Sequence, residues 1–212
     1  MRLSATEWLT HLDDARTLAL AGDAEGVHQV RVALRRLRVW LSFRKLGALE
    51  EELRWACRAL APLRDLDVFG EVLTSEARAG LRTDATKEAT RALESERWLA
   101  VRESLGAIRP PRRGRAKRTL PGREKKLKKL RRARRTGDGL ALHRLRRELR
   151  RVRYTRDWLG LDTSDLADEQ EWLGAVCDLL ALAAFAKAHD VEVPRVLREA
   201  IERAFELVEA RS

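Results

Sequence analysis

Two cysteines, Cys57 and Cys177, are all that 212 residues contain. Neither belongs to a close pair with metal-ligand spacing, so the common zinc motifs are excluded. Two thiols do not make a disulfide framework either, and a reducing cytoplasm is the setting they fit. No run of about 18 apolar residues exists, so no span or insertion of a membrane is expected. The opening residues MRLSATEWLTHLDD carry no apolar core of a secretory signal. Glycine and β-branched residues are scarce, and no segment alternates with period two, so no strand is expected. There is no P-loop, no glycine-rich dinucleotide loop, no HExxH and no nucleophile–base set. No cofactor, metal or catalytic residue is expected, and the chain reads as a binding protein rather than an enzyme.

What the chain has in excess is basic charge. Lys and Arg number 44 against 33 Asp and Glu, a net charge of +11. Such a surplus calls for an anionic partner: nucleic acid, a membrane surface or a phosphate polymer. Apolar residues at 44% are enough for a folded core. Abundant Ala, Leu, Arg and Glu favour helix almost throughout. The surplus is not spread evenly. Arg109 to Arg135 holds 15 basic residues and one acid, Glu124, which leaves the rest of the chain at −3.

Punctuation divides the chain into helices. Ser4 to Glu7 has the form of a capping box opening a first helix. Gly22 breaks it, and Asp23 caps a second helix running toward Arg44, ended by Gly47. A third helix is expected from Ala48 to Leu60, interrupted by Pro62. Others are expected over Leu63 to Ala79 and Asp84 to Leu105. The segment Arg109 to Gly122 has three prolines and two glycines and is not expected to be one continuous helix. A strongly basic helical stretch follows from Arg123 to Arg135. The helical pattern resumes after Asp138, with Ser164 expected to cap a later helix and Pro194 to open the last one. One domain is expected over 1–212. Its internal halves are placed at about 1–107 and 123–212, joined by a basic linker at 108–122.

The most informative feature is an internal repeat. VHQVRVALRRLRV at Val27 to Val39 aligns without a gap with LHRLRRELRRVRY at Leu142 to Tyr154, at an offset of 115. His28 matches His143, and Arg31, Arg35, Arg36 and Arg38 match Arg146, Arg150, Arg151 and Arg153. A weaker echo pairs LAPLRDLD from Leu60 with LGAVCDLL from Leu173, matching Asp65 to Asp178. On a helix, Arg31, Arg35 and Arg38 fall within about 80° on one side of His28, beside an apolar stripe of Val27, Val30, Leu34, Leu37 and Leu41. His143, Arg146, Arg150 and Arg153 repeat the arrangement. A solvated face normally mixes signs, whereas this one holds no acid and repels itself. Either acids on neighbouring helices (Asp65, Asp67 and Asp178 are candidates) relieve that repulsion, or an anionic ligand does. Arginine forks suit phosphate, and histidine beside phosphate becomes a second donor as pH falls.

At these residues the chain resembles the CHAD family, the conserved-histidine α-helical domain. H-x-x-R-V-x-x-R-R-L-R is present from His28 to Arg38, and L-x-x-x-R-D-x-D-V as Leu60, Arg64, Asp65, Asp67 and Val68. The second-half signature fits Leu142, His143, Leu145, Arg146, Leu149, Arg150, Arg153 and Tyr154, and L-G-x-x-x-D fits Leu173, Gly174 and Asp178. The resemblance implies an all-α fold of two helical bundles related by a pseudo-twofold axis, compactly joined around a basic groove or pore. It also implies inorganic polyphosphate as ligand and association with polyphosphate granules. With no fused triphosphate-tunnel domain in the sequence, a stand-alone member is expected. Gln29 and Arg144 depart from the family, standing where it often has an acid. Glu148 puts a carboxylate into the second copy, about 140° from His143. Cys177 replaces the arginine that the first copy has at Arg64.

The expected polyphosphate site is thus His28, Arg31, Arg35, Arg36, Arg38, His143, Arg146, Arg150, Arg151 and Arg153. Arg54, Arg58, Arg64, Lys125, Lys126, Lys129 and Tyr154 are secondary candidates, with Lys128 and Arg132 extending the same basic attraction. Nucleic acid, RNA above all, is the alternative partner. A metal-dependent polyphosphate-cleaving role for Asp65 and Asp67 is a third reading, weaker than one in which they orient arginines. The six tryptophans (Trp8, Trp40, Trp55, Trp98, Trp158 and Trp172) are expected in packing rather than base stacking. His11 and His189 are expected at the surface.

Overall fold

A computed structural model describes residues 5–133 and 139–192, together with residues 195, 198–200 and 202–203. Among them every regular element is helical. In order these are α1 (Ala5–Leu20), α2 (Ala24–Ser42), α3 (Gly47–Ala59), α4 (Ala61–Phe69), a 3-10 turn at Gly70–Val72, α5 (Ser75–Glu94), α6 (Glu96–Ala107), α7 (Arg113–Ala133), α8 (Gly139–Leu159), a 3-10 turn at Ser164–Leu166 and α9 (Ala167–Ala188). The chain divides into two compact units, Met1–Arg112 and Arg113–Ser212. No helix among the described residues is long and apolar enough to cross a membrane.

In the first unit, α2 is the central element. Its apolar stripe is buried, with Val30 and Leu34 fully inaccessible, and it packs on α1, α3 and α4. Asp23 caps it as expected, its Oδ1 accepting from the backbone N–H of Glu25 at 2.7 Å and of Gly26 at 3.0 Å. Such a cap is worth about 1 kcal/mol. Gly22, at φ +85°, lets α1 end in a left-handed turn with Asp23 N–H bonded to Leu18 O. Gly26 sits where α1 and α2 touch: a Cβ there would stand 2.4 Å from the Ala19 backbone nitrogen.

In the second unit, α8 plays the part of α2. Leu142, Leu145, Leu149 and Val152 are wholly buried, and the helix packs on α7 and α9.

Several boundaries differ from the sequence expectation. The turn after α2 is made by Lys45 at φ 58°, and Gly47 begins α3. The apolar stripe ends near Leu41, which fixes where the turn falls, and lysine accepts the left-handed conformation at a cost of about 1 kcal/mol. Instead of helices over 63–79 and 84–105, the chain forms α4, α5 and α6, with breaks over 70–74 and at Ser95. Its hydroxyl accepts from Trp98 N–H at 3.1 Å, while Thr74 caps α5 by accepting from Ala77 N–H at 3.3 Å. Ser164 does not cap a helix; it donates its hydroxyl to Asp162 at 2.6 Å and opens a 3-10 turn. The linker expected over 108–122 shrinks to the residues before Arg113, because α7 runs straight through Pro121 and Gly122. That proline leaves one helical carbonyl without its donor, and burial of Ala116, Leu120 and Leu127 along the helix holds it together. Ser4 and Pro194 lie outside the described residues.

Candidate functional site

In the first unit the site is assembled from α2 and α4. His28, Arg31 and Arg35 lie half-buried along α2 beside its apolar stripe. Pro62 starts α4 at its first turn, and the new helix carries Arg64 and Asp65 toward them. The resulting field pushes the ionisable groups of the cluster away from their ordinary values. Burial pushes the His28 imidazole below its ordinary value, and Arg64, Arg35 and Arg31 reinforce the shift against Glu25. Burial also lowers Arg31, with Arg35 and Arg64 adding to it while Cys57 and Asp65 oppose. Burial raises Asp65 despite Arg31 and Arg64. The guanidinium of Arg31 donates to the Cys57 carbonyl of α3. Arg35 has neither hydrogen bond nor ion pair among the described residues, and its Nε is buried without a partner. A half-buried cation surrounded by other cations is an unusual thing to leave unpaired.

The second unit repeats the constellation on α8 and α9. Arg146 Nη1 lies 2.9 Å from Asp178 Oδ1, as Arg31 faces Asp65 in the first. Gly174 stands one turn before Asp178, where a Cβ would come 3.6 Å from Arg146 Nη2. Desolvation of the ring pushes His143 below its ordinary value, helped by Arg146, Arg147 and Arg150 and opposed by Asp178. Arg150 Nε reaches back to the Arg146 carbonyl at 3.5 Å. The two copies differ in how the aspartate arrives. Pro62 breaks α3 from α4 in the first, whereas Ala175 at the matching position lets α9 run unbroken.

Not every expected residue joins these clusters. Arg36 stacks on Trp8 at 4.5 Å, facing α1. Its counterpart Arg151 lies 3.3 Å from the buried Glu148 carboxylate, and its carbonyl accepts from Arg123. Arg38 is 3.8 Å from Glu50. Arg153 and Tyr154 are half-buried on α8. Arg54 is taken up by Glu50, at 3.2 Å, and by Glu51. Arg58 is exposed beside Cys57, and only Arg64 of that trio stands in the site. Lys126 Nζ is 3.1 Å from Glu148, while Lys125 and Lys129 are exposed.

The candidate acids divide likewise. Asp178 and Asp65 face the repeat arginines, but Asp67, 4% exposed, pairs with Arg82 at 2.6 Å. Asp65 and Asp67 therefore do not form a pair. Among the described residues no group of three or more His, Cys, Asp or Glu is placed to hold a metal ion.

Other expectations need correction. His11 is half-buried, 3.1 Å from Gln29 Oε1, and His189 packs on Phe185 with ring centroids 4.5 Å apart. Neither is a free surface residue. Both cysteines turn out to border the site: burial raises Cys57 beside Arg31 and Cys177 beside Arg146. Their positions in the repeat do not correspond, so alignment of the halves could not have paired them.

Comparison with known proteins bears on the family and the fold. The profile of the CHAD domain matches residues 4–185. The crystal structure of the CHAD domain from the plant Ricinus communis superposes with a TM-score of 0.71 at 24% identity, over 98% of this chain and 83% of that one. PptA from Streptomyces chartreusis superposes with a TM-score of 0.70 at 17% identity, over 98% and 97%. No curated protein matches the chain.

Proposed function

The chain belongs to the CHAD domain family, and from that premise we propose that it binds inorganic polyphosphate without cleaving it, through the His–Arg constellations of α2 and α8. The observation that carries this reading is the duplicated cluster, with Arg35 half-buried and unpaired at the centre of one copy. A string of phosphates supplies what such a cluster lacks: a closely spaced series of singly charged acceptors for arginine forks. His28, Arg31, Arg35 and Arg64 take phosphates in the first unit; His143, Arg146 and Arg150 do so in the second. Asp65 and Asp178 hold the first arginine of each set in place. Arg36 and Arg151, engaged elsewhere, are left to the scaffold. The expected setting is the cytoplasm, at polyphosphate granules.

RNA is the competing ligand, because phosphate contacts alone do not distinguish the two. Against RNA stands the composition of the clusters, which hold Arg and His but no aromatic side chain for stacking bases. Titration of long-chain polyphosphate and of single-stranded RNA at two salt concentrations separates them. Tighter binding of polyphosphate at equal phosphate concentration is expected, weakening steeply with salt as counterion release requires. Displacement of polyphosphate by equimolar RNA phosphate would sink the proposal.

The histidines give a pH signature. In the free protein burial and the neighbouring arginines hold both imidazoles below their ordinary value of about 6.5. A bound phosphate favours the charged form and raises them. Binding therefore takes up protons between the depressed free value and the raised bound one. Affinity should be flat above that window, rise as pH falls through it, and level off below the free value. Calorimetry in buffers of different ionisation enthalpy reads the uptake directly. A His28→Ala/His143→Ala variant with the wild-type profile would remove both rings from the site.

A further inference from the structure

The helix that leads into each histidine helix is differently charged in the two units. In the first unit α1 carries Glu7, Asp13 and Asp14 against Arg16. In the second, α7 holds the same place before α8 and carries eleven basic residues with one acid, Glu124. Viewed down α7, Lys117, Arg118, Lys125, Lys128, Lys129 and Arg132 fall within one sector of about 120° and span about 22 Å of axis. All six are exposed, and none is engaged in a hydrogen bond or ion pair among the described residues. The apolar residues Leu120 and Leu127 point the other way, into the unit. Glu124 lies outside the sector, held by Arg156 at 2.8 Å.

This face is continuous with the site on α8. Lys126 of α7 and Arg151 of α8 meet on the same Glu148 oxygen, at 3.1 and 3.3 Å, and that carboxylate is only 4% exposed. The one acid at the seam is therefore neutralised and covered. From His143, Arg147, Arg151 and Arg144 step around α8 toward the seam at about 40°, 80° and 100°. No acid interrupts the path from the histidine to the lysines.

We infer that the exposed face of α7 is an extension track for the same polyphosphate chain, so that affinity grows with chain length through the second unit. This rests on the polyphosphate reading above. The face suits a chain already anchored beside it: four of its six cations are lysines, compact point charges on flexible stems that attract without fixing a geometry. Its one apolar side chain is the short ring of Pro121, too little to enter a bilayer, and it holds no aromatic or amide side chain to read or stack a base. A chain reaching both the α8 cluster and α7 engages the second surface as an intramolecular event, at high effective concentration.

The test compares sodium tripolyphosphate with long-chain sodium polyphosphate on wild type and on Lys125→Gln/Lys128→Gln/Lys129→Gln/Arg132→Gln, by calorimetry at two salt concentrations. Tripolyphosphate, too short for the track, should bind both proteins alike. Long chains should bind the variant about tenfold or more weaker, with a salt slope shallower by about 3. Circular dichroism should be unchanged. A variant that keeps the full long-chain advantage overturns the inference while leaving the α8 site standing. So does one that, in a parallel titration with duplex RNA, loses that ligand alone, which would mark α7 as a nucleic-acid surface. If wild type binds neither phosphate ligand, the polyphosphate reading itself fails and the track falls with it.

Discussion

Reversing the charge at the centre of both clusters, with Arg35→Glu and Arg150→Glu together, is expected to weaken polyphosphate binding by at least a hundredfold. Each substitution deletes a charge-assisted contact of about 1.5–3 kcal/mol and puts repulsion in its place. Two of them amount to about 3–6 kcal/mol, which is two to four orders of magnitude in affinity. The fold should survive. Arg35 has no internal partner to lose, and a carboxylate at position 35 would face Arg31 and Arg64 across a cluster that is short of negative charge. Thermal unfolding of Arg35→Glu alone should therefore move little. Arg36→Glu serves as the control. That residue stacks on Trp8 outside the cluster, so its reversal should lower affinity far less than the double variant does. Unchanged binding by a well-folded double variant would show that the repeat is not the site.

The second large effect concerns stability. Gly26→Ala should destabilise the first unit by about 2–4 kcal/mol, more than most single methyl additions. The added carbon would meet backbone, not a side chain that can swing away: 2.4 Å from Ala19 N and 2.7 Å from Leu18 C. Relief requires separating α1 from α2, which tilts the helix that carries His28, Arg31 and Arg35. The midpoint of thermal unfolding should drop by about 5–15 °C, and polyphosphate affinity should weaken with it. Gly80→Ala sets the opposite expectation. Gly80 lies inside α5 with nothing within 4 Å of the new carbon, so the same methyl should stabilise by about 0.5–1 kcal/mol. Equal responses at the two glycines would mean that α1 and α2 do not approach as closely as described.

Features governed by local chemistry were readable from residue order. Asp23 caps α2 because a short carboxylate two residues before the helix N–H groups has few better conformations. Pro62 opens α4 for the matching reason, having no N–H to lose. The two histidine helices were visible because a 3.6-residue period and an exact duplication reinforce each other. Alignment alone groups Arg36 and Arg151 with Arg35 and Arg150, although at about 100° from them on the helix they face elsewhere. What residue order did not contain was the meeting of side chains from different helices. Arg64 comes to His28, and Cys57 offers its carbonyl to Arg31, only once α3 and α4 dock on α2. Asp67 turns to Arg82 because α5 passes there. Pro121 misled in the other direction: the rule against proline inside helices is a cost of about 3 kcal/mol, and the buried side of α7 offsets it.

The unequal helices α1 and α7 also bear on how such a protein changes over generations. A tandem duplication starts with two interchangeable copies, and interchangeable copies constrain each other. Here the flanking helix of one copy is tied into its unit, with Asp13 held by Arg102 at 2.6 Å, while that of the other turns a row of unattached cations outward. With α7 as the track proposed above, single base changes in the codons of that row would raise or lower the grip on a long anion in small steps. None of those steps disturbs a packed residue or the histidine clusters. One copy is bound to conserve architecture; the other is at liberty to drift in strength.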